Sequence, residues 1–318
     1  MKQDYSFFIG DVALDEYYEA PKWPNIREKV LVQTLEPQMG GSMANAASVY
    51  ARFNESVYFL SLLNSGNITQ LLCKDLQKQG INTKFILHDD SLPDSKCIVI
   101  LAENEHTLFI PTLGIEKFEI TPEIIDAMCN AKYVYSTIIE IKPLRCGDMD
   151  AIDIIKKVRA SGTKIVYDLD VALLKEGDEI FLQESDIVFF NQVGIDSYRK
   201  GTSIDKAVSE LLNYGTEIVV ITLAEEGCLV YTKEEQFQVQ GISVDIVDVT
   251  GAGDTFCSSF IYGLNKCEDL QLVARFANAA AARAVTIMGA RGGVATVPVI
   301  LDFLKEKGLE TDELKIFL

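Results

Sequence analysis

The sequence is poor in the residues that several common kinds of active site require. It contains only two histidines, His88 and His106, so neither a histidine-based catalytic triad nor a histidine-rich metal site is expected. It has seven cysteines, an odd number, and no Cys-x-x-Cys motif. Most of the cysteines lie inside apolar runs. We therefore predict that they are small buried side chains in a reducing compartment rather than disulfides or metal ligands.

Long apolar runs and positive charge are also scarce. No run approaches the roughly 18–20 residues of a membrane span, and residues 1–9 do not resemble a signal peptide, so a cytoplasmic protein is expected. The 29 basic and 47 acidic residues leave a net charge of −18. A surface this acidic repels nucleic acid and anionic membranes, and neither is expected as a partner. No Gly-x-x-x-x-Gly-Lys-Ser/Thr motif occurs, which excludes a P-loop kinase.

The material for a large folded domain is present. Of 318 residues, 48% are hydrophobic, and mean hydropathy is +0.14. Strand patterns alternate with helical patterns over residues 130–225, which predicts βαβ units and a parallel sheet. Additional β-rich segments, at approximately 12–40 and 84–110, look inserted into this core. We therefore predict one α/β domain over residues 1–318.

A glycine turn near the C-terminus, Asp248–Phe256, is the most informative stretch. A strand-like run over 242–247 leads into it, and a helical pattern over 255–264 leads out. Glycines let the backbone approach a ligand closely, and the helix N-terminus favours an anion. No Lys or Arg occurs between Val244 and Leu264, so backbone amides must hold any phosphate there. Asp254 could simply cap the helix, but it is also placed to take a proton from an attacking hydroxyl.

A second glycine turn, Gly40–Ala47, lies near the N-terminus. Ser42 can cap a helix over residues 44–52, and small residues would let that helix pack closely. By itself, a glycine turn before an alanine-rich helix is common.

Polar residues end three of the predicted parallel strands, namely Asp168, Asn191 and Thr222. Ligands of such sheets sit beyond the carboxyl ends of the strands. These side chains are therefore expected to share a crevice with the Gly251 turn.

The two glycine turns resemble the signatures of the ribokinase-like (PfkB) family of sugar and nucleoside kinases, G-G-x-x-x-N-x-A and D-T-x-G-A-G-D, in that order and about 200 residues apart. The resemblance implies a three-layer αβα sandwich with a mostly parallel central sheet and a small β lid. It also implies ATP-dependent phosphorylation of a hydroxymethyl group of a small sugar, with ATP and Mg²⁺ as cofactors. Asp254 would be the general base, and the amides of Gly251, Ala252 and Gly253 the anion hole.

Further roles follow from matching positions to the family. The implied sugar ligands are Asp15, Gly40, Gly41 and Asn45. Asp11 and Glu140 are added as neighbours, although each could equally be an ordinary turn or loop acid. The implied nucleotide-binding residues are Asn191, Thr222, Gly227, Gly251, Gly253 and Asn278. A loop for a monovalent cation such as K⁺ would comprise Asp248, Thr250, Ala284, Gly289 and Gly293.

The sequence departs from the family pattern in three places. Gly194 replaces the Glu of an N-x-x-E motif that organises Mg²⁺ in the family, and the run 168–172 lacks the Asn and Arg of D-x-N-x-R. Ala224 replaces a glycine of T-L-G-x-x-G. These departures motivate an alternative, a sugar- or nucleotide-binding regulatory protein with little catalysis. A dinucleotide-dependent oxidoreductase is disfavoured, because Phe256 stands where a third glycine would be needed.

The acceptor and the assembly stay open at this stage. Ribose, fructose, a ketodeoxy sugar acid and nucleosides all remain candidates. A charged acceptor would want a cation near the sugar site, and the candidates are Arg27, Lys29, Lys142 and Arg145. Apolar lid residues, namely Tyr17, Val30 and Val32, could pack against a second lid, so a homodimer through the lid is one expectation.

Overall fold

The computed structural model describes residues 4–103, 105–170 and 174–318, which form sixteen strands and eleven α-helices. The strands are β1 (Ser6–Ile9), β2 (Ala13–Ala20), β3 (Gln33–Thr34), β4 (Gln38–Gly40), β5 (Val57–Leu63), β6 (Asn82–His88), β7 (Lys96–Ala102), β8 (Glu105–Phe109), β9 (Phe118–Glu119), β10 (Tyr133–Ser136), β11 (Leu144–Arg145), β12 (Lys164–Asp168), β13 (Ile187–Phe190), β14 (Ile218–Thr222), β15 (Cys228–Tyr231) and β16 (Gln236–Val239). The helices are α1 (Ser42–Arg52), α2 (Asn67–Lys78), α3 (Pro122–Asn130), α4 (Ile138–Ile141), α5 (Ala151–Ala160), α6 (Glu179–Leu182), α7 (Gln192–Arg199), α8 (Ile204–Tyr214), α9 (Ala252–Leu264), α10 (Leu270–Ala284) and α11 (Val297–Glu306).

A nine-stranded central sheet organises the molecule, in the order β16-β15-β14-β13-β12-β10-β1-β5-β6. All neighbours from β14 to β6 pair in parallel, and only β15 and β16 add antiparallel strands at one edge. Successive side chains of a strand point to opposite faces. In β1, Phe8 accordingly joins the core under α1, α9 and α10, whereas Phe7 and Ile9 join the core under α3, α5 and α8. The predicted α/β sandwich with a mostly parallel sheet is confirmed.

A smaller sheet projects from this core, in the order β3-β2-β7-β8, with β4 also paired to β2. We call these five strands the lid. The expected lid segment 84–110 differs from the structure at its lower bound. Residues 84–88 belong to β6, which pairs with β5, because Phe85 and Ile86 bury their side chains in the main core. The lid part of that segment therefore begins at β7.

The strand predicted over 242–247 does not form. Its apolar side chains Ile246 and Val247 are 62% and 53% exposed, and the segment pairs with no described strand. The backbone N–H groups of Val247 and Asp248 instead donate to the carbonyl of Val285, at the end of α10. The following helix begins at Ala252 rather than at 255, so Asp254 lies within its first turn.

Four of the seven cysteines are buried, as the sequence predicts, namely Cys97, Cys146, Cys228 and Cys257, whereas Cys73, Cys129 and Cys267 are half-buried. Among the described residues, every helix is too short or too polar to cross a membrane.

Candidate active site

A cleft of about 350 Å³ lies where the parallel strands end, between the core and the lid. The core lines it with Ser42, Asn45, Asp168, Asp170, Asn191, Thr222, Gly251, Gly253 and Asp254. The lid and the strand leading to it add Asp11, Ala13, Asp15, Cys97, Leu108 and Ile110. Both glycine turns and all three polar strand ends therefore meet in one cavity.

Asp254 is held from across the cleft by the start of α1. Ser42 Oγ donates to its Oδ1 at 2.6 Å, and Asn45 Nδ2 donates to its Oδ2 at 2.9 Å. Burial raises the pKa of Asp254 to about 7, although these two hydrogen bonds act in the opposite direction. A fixed carboxylate that titrates near neutrality has the properties of a general base.

The amides beside Asp254 differ in availability. The Ala252 N–H donates to the Val249 carbonyl at 3.2 Å, so it is already engaged. The Gly251 and Gly253 N–H groups form no hydrogen bond with any described residue. Gly251 has φ +75°, and a Cβ there would collide with the Ala290 carbonyl. The turn therefore offers two of the three expected amides to an anion, together with the α9 dipole.

Ser42 does not cap α1, contrary to the sequence prediction. Its hydroxyl faces Asp254, and the capping carboxylate is Asp11, whose oxygens accept from the Ser42 and Met43 N–H groups at 3.0 Å each. A carboxylate suits the N-terminal end of a helix dipole. Asp11 still lines the cleft, but its first task is to fix α1, and burial raises its pKa.

Asp15 is the other acid at the lid end of the cleft. Asp15 lies on β2 and is only 7% exposed, and no described group donates a hydrogen bond to its carboxylate. Gly40 leaves room for this carboxylate, since a Cβ at Gly40 would collide with it. Gly41 has φ +94° and would place a Cβ 2.6 Å from the Val12 Cα. Burial raises the pKa of Asp15 to about 6.

Glu140 lies on α4, beside Asp11 and Gly10, and is absent from the lining of the cleft. Burial, with repulsion from Asp11, raises the pKa of Glu140 to about 8. Glu140 is half-buried, and its role as a sugar ligand stays a prediction.

The nucleotide-binding candidates separate into two groups. Asn191 and Thr222 line the cleft, and Asn191 Oδ1 caps α7 by accepting from the Gly194 N–H at 2.7 Å. Gly227 and Asn278 lie outside that lining, against the end of β16. Asn278 Nδ2 donates to the Val239 and Gln240 carbonyls, and a Cβ at Gly227 would collide with the former.

The structure explains one departure from the family pattern, Gly194, and shows backbone strain at another, Ala224. Ala224, which replaces a glycine, has φ +49°, a left-handed conformation that glycine adopts more easily. At Gly194, a Cβ would collide with the Leu169 carbonyl, because α7 packs directly against the segment that carries Asp170 into the cleft. Val171 and Ala172, the end of the unusual 168–172 run, lie outside the described residues.

Asp168 lines the same cleft as Asp254. Tyr135 Oη donates to its Oδ2 at 2.5 Å, and burial raises the pKa of Asp168 to about 7. The Asp254 charge acts in the same direction.

The residues predicted to form a cation loop lie on two segments that pack together. Asp248 accepts from the N–H and hydroxyl of Thr250 at 2.9 and 2.7 Å, and from the Gly289 N–H at 2.8 Å. Gly293 packs so closely on Ala284 that a Cβ would collide with it. Among the described residues, no three His, Cys, Asp or Glu side chains cluster as a metal site.

Sequence reasoning missed Arg291, whose guanidinium bonds to three other elements, α1, α2 and β4. Its Nε donates to Asn45 Oδ1 at 2.8 Å, its Nη1 to Asp75 Oδ2 at 2.6 Å, and its Nη2 to the Gly40 carbonyl at 2.8 Å. Because Asn45 Oδ1 accepts from Arg291, its Nδ2 is the atom that faces Asp254. The available signal was a lone arginine between two positions already assigned to the cation loop, Gly289 and Gly293.

The four candidate cations for a charged acceptor are absent from the cleft lining. Lys142 Nζ pairs with Asp178 at 2.7 Å, and Arg145 Nη1 donates to the carbonyls of Lys142 and Leu144. Arg27 and Lys29 are exposed in the segment between β2 and β3.

Comparison with known proteins identifies the family to which this chain belongs. Residues 4–296 match the family described as pfkB family carbohydrate kinase, and the chain belongs to that family. It is 26% identical to the 5-dehydro-2-deoxygluconokinase of Clostridium perfringens, over 87% of this chain and 86% of that protein. It is also 26% identical to the ribokinase of Haemophilus influenzae, over 93% of this chain and 97% of that protein. The structure of Arabidopsis thaliana ribokinase complexed with ribose and ATP shares the fold, with a TM-score of 0.80 at 22% identity, covering 95% of this chain and 99% of that one.

Proposed function

We propose that the protein transfers the γ-phosphoryl group of ATP to a hydroxymethyl group of a small sugar or sugar-like acceptor. Asp254 is the proposed general base, and the free amides at the start of α9 are the proposed anion hole. The main support for the proposal is that the Asp254 carboxylate and these amides lie side by side. A carboxylate fixed by Ser42 and Asn45 stands next to the unpaired N–H groups of Gly251 and Gly253 in one cleft.

The proposed reaction follows from this arrangement. An acceptor hydroxyl placed against Asp254 gives its proton to the carboxylate while its oxygen bonds to the γ-phosphorus. The bond from that phosphorus to the β–γ bridging oxygen breaks, and ADP leaves. The Gly251 and Gly253 amides stabilise the charge on the transferred oxygens, which is the main requirement of phosphoryl transfer.

The nucleotide would enter from the side of Asn191 and Thr222, with the segment near Gly227 and Asn278 forming its outer wall. Mg²⁺, when bound, would neutralise charge on the phosphates. Carboxylate oxygens suit Mg²⁺, which commonly takes one or two of them together with substrate phosphates. Asp168 and Asp170 are the carboxylates on this side of the cleft and would hold it.

Two finer features complete the proposal. K⁺ would bind where the segments 248–250 and 284–293 pack together, and it should raise the melting temperature when it replaces tetramethylammonium. The lids of two copies would pair into a homodimer, because two exposed apolar residues flank the lid strands, Leu31 (93%) between β2 and β3 and Ile110 (76%) directly after β8. Tyr17 does not belong to that surface, since it is buried among Cys97 and Val99.

The test is ADP release over a panel of sugars, sugar acids and nucleosides, with Mg²⁺ and K⁺ present. Turnover of at least one acceptor is expected, and Asp254→Asn should lower kcat at least ~100-fold while nucleotide affinity stays within a few-fold. Folded protein that turns over no acceptor would refute the kinase proposal.

The second candidate is a binding or regulatory protein with little catalysis, favoured by Gly194 in place of the expected Glu. It predicts sugar or nucleotide binding by calorimetry without turnover. It also predicts that Asp254→Asn leaves the regulatory readout unchanged.

A further inference from the structure

We propose that the acceptor end of the cleft takes an uncharged sugar or polyol and rejects acceptors that carry a carboxylate or phosphate. The inference rests on the proposed function and adds the chemical class of its acceptor. It is carried by the charges and hydrogen bonds of the side chains around Asp254.

The acceptor end presents oxygen atoms that accept hydrogen bonds. Three carboxylates, those of Asp11, Asp15 and Asp254, line it together. Asp15 is the most telling, because its residue is only 7% exposed and none of the described groups donates to it. Its carboxylate therefore reaches solvent only through the cleft and has no protein donor, so a ligand that fills the cleft and displaces this water must donate hydrogen bonds to it. Sugar hydroxyls are such donors, whereas a second carboxylate is not.

The part of the cleft lining that the structure describes contains no Lys or Arg to compensate these negative charges. Residues 171–173, which lie outside the described chain, are Val, Ala and Leu and carry no charge. Among the described residues, Arg291 is a cation whose charge acts on Asp11 and Asp15. Its guanidinium is already bonded to Asn45, Asp75 and the Gly40 carbonyl, and its side chain is only 9% exposed. The Lys142 and Arg145 cations are occupied by protein partners elsewhere.

The charged group of an anionic acceptor would therefore lose its water in this cleft, next to carboxylates of the same charge and with no cation to pair with. Like charges in a partly buried site repel strongly, and a site that pairs hydroxyls discriminates against groups that leave its acceptors unsatisfied. We expect neutral acceptors to be preferred over matched anionic ones by at least ~100-fold in kcat/KM.

The test compares matched acceptors with purified full-length protein. Fructose is set against fructose 1-phosphate and fructose 6-phosphate, and ribose and myo-inositol against 5-dehydro-2-deoxygluconate and 2-dehydro-3-deoxygluconate. Both kcat/KM and Kd by calorimetry are measured. Neutral acceptors alone should bind and react.

Each outcome decides something. An anionic acceptor that binds or reacts as well as the best neutral one overturns the inference, and so does the binding of no neutral acceptor. If neutral acceptors bind but none is phosphorylated, the proposed function fails while the acceptor class stands.

A charge variant checks the cause. Asp15→Asn should lower the preference for neutral over anionic acceptors about 10-fold, because it removes one facing charge. Asp302→Asn removes the same charge from the exposed surface of α11 and is expected to leave the preference unchanged. An equal change in both variants would attribute the discrimination to net charge and overturn the assignment to the cleft.

Discussion

Arg291 influences Asp254 without touching it. Arg291 Nε donates to Asn45 Oδ1, and this bond fixes the orientation of the Asn45 amide. A flipped amide would place two donors against each other. Its pair with Asp75 and its bond to the Gly40 carbonyl tie the same side chain to α2 and to the lid. Arg291 is therefore a positioning residue for the proposed base.

Replacing Arg291 with Met is expected to lower kcat about 10–100-fold and to raise the apparent pKa of the base, because Asn45 is no longer held as a donor to Asp254. Breaking the largely buried pair with Asp75 should also cost about 2–3 kcal/mol of unfolding free energy. Pre-steady-state rates, pH profiles and urea denaturation measure these effects.

Arg291→Lys separates the two roles. It keeps a charge for Asp75 and should recover much of the stability, but it cannot reproduce three bonds in fixed directions, so kcat should stay low. Arg275→Met, which breaks the exposed pair with Glu313, is the matched control. A normal pH profile in Arg291→Met would contradict the positioning role.

Gly194 gives a second prediction for a single residue. Restoring the family residue with Gly194→Glu should not repair the site, because a side chain there collides with the Leu169 carbonyl. We expect a loss of about 1–3 kcal/mol of stability and weaker nucleotide binding by calorimetry. Gln192→Glu adds the same charge to an exposed position of α7 and controls for it. A stable Gly194→Glu with higher Mg²⁺-dependent activity would disprove this steric account.

At the scale of elements, the sequence predicts those strands and helices whose formation depends on their own apolar pattern. The fully buried strand β1 and the amphipathic helix α8 could be recognised from sequence, because each buries a face that its own residues define. The run 242–247 alternates like a strand, yet a strand also requires a neighbouring strand. The Val247 N–H instead donates to the Val285 carbonyl at the end of α10.

Within the site, too, the sequence predicts contacts inside one motif but not contacts between distant segments. Asp254 and Gly251 share a contiguous motif, so sequence could place them side by side. The capping of α1 by Asp11 spans 31 residues, and the bond from Arg291 to Asn45 spans 246. Such partners depend on how the sheet, the lid and the 284–293 segment come together, which no local pattern contains.

The lid is the element that carries the prediction about assembly. Phe109 is 49% exposed on β8 and stacks with Trp23 at 6.3 Å between ring centroids. If this surface pairs two copies, Phe109→Asp should weaken the dimer at least ~100-fold by placing a charge in an apolar contact. Sedimentation over a concentration series measures the dissociation constant. Leu309→Asp, at a 42% exposed position outside the lid, is the control, and a wild-type protein that is monomeric throughout would refute the pairing.

At the scale of the whole molecule, negative charge dominates both the surface and the cleft. The net charge is −18, and the cleft concentrates carboxylates whose pKa values burial raises, to about 6 for Asp15 and about 7 for Asp168 and Asp254. Their unfolded values lie near 3.8. Folding therefore costs free energy whenever these groups are ionised, and the protein without ligand is expected to be stabler in mild acid.

Stability and activity should consequently depend on pH in opposite directions. A carboxyl group with a raised folded pKa contributes stability that is complete below its unfolded pKa and is lost as pH rises through the folded value. The unliganded protein should thus melt on the order of 5 °C lower at pH 8 than at pH 5.5. Activity should rise over the same window, because the proposed base must be ionised to accept a proton.

Melting curves from pH 5 to 8.5 test this opposition. Asp254→Asn removes one of the titrating groups, so its melting temperature should fall less steeply with pH than that of the wild type. Asp302→Asn changes net charge by the same amount at an exposed position and should retain the wild-type slope. A wild-type melting temperature that rises toward pH 8 would mean that these carboxylates are stabilised as anions, and a proton-accepting role for Asp254 near neutrality would lose its physical basis.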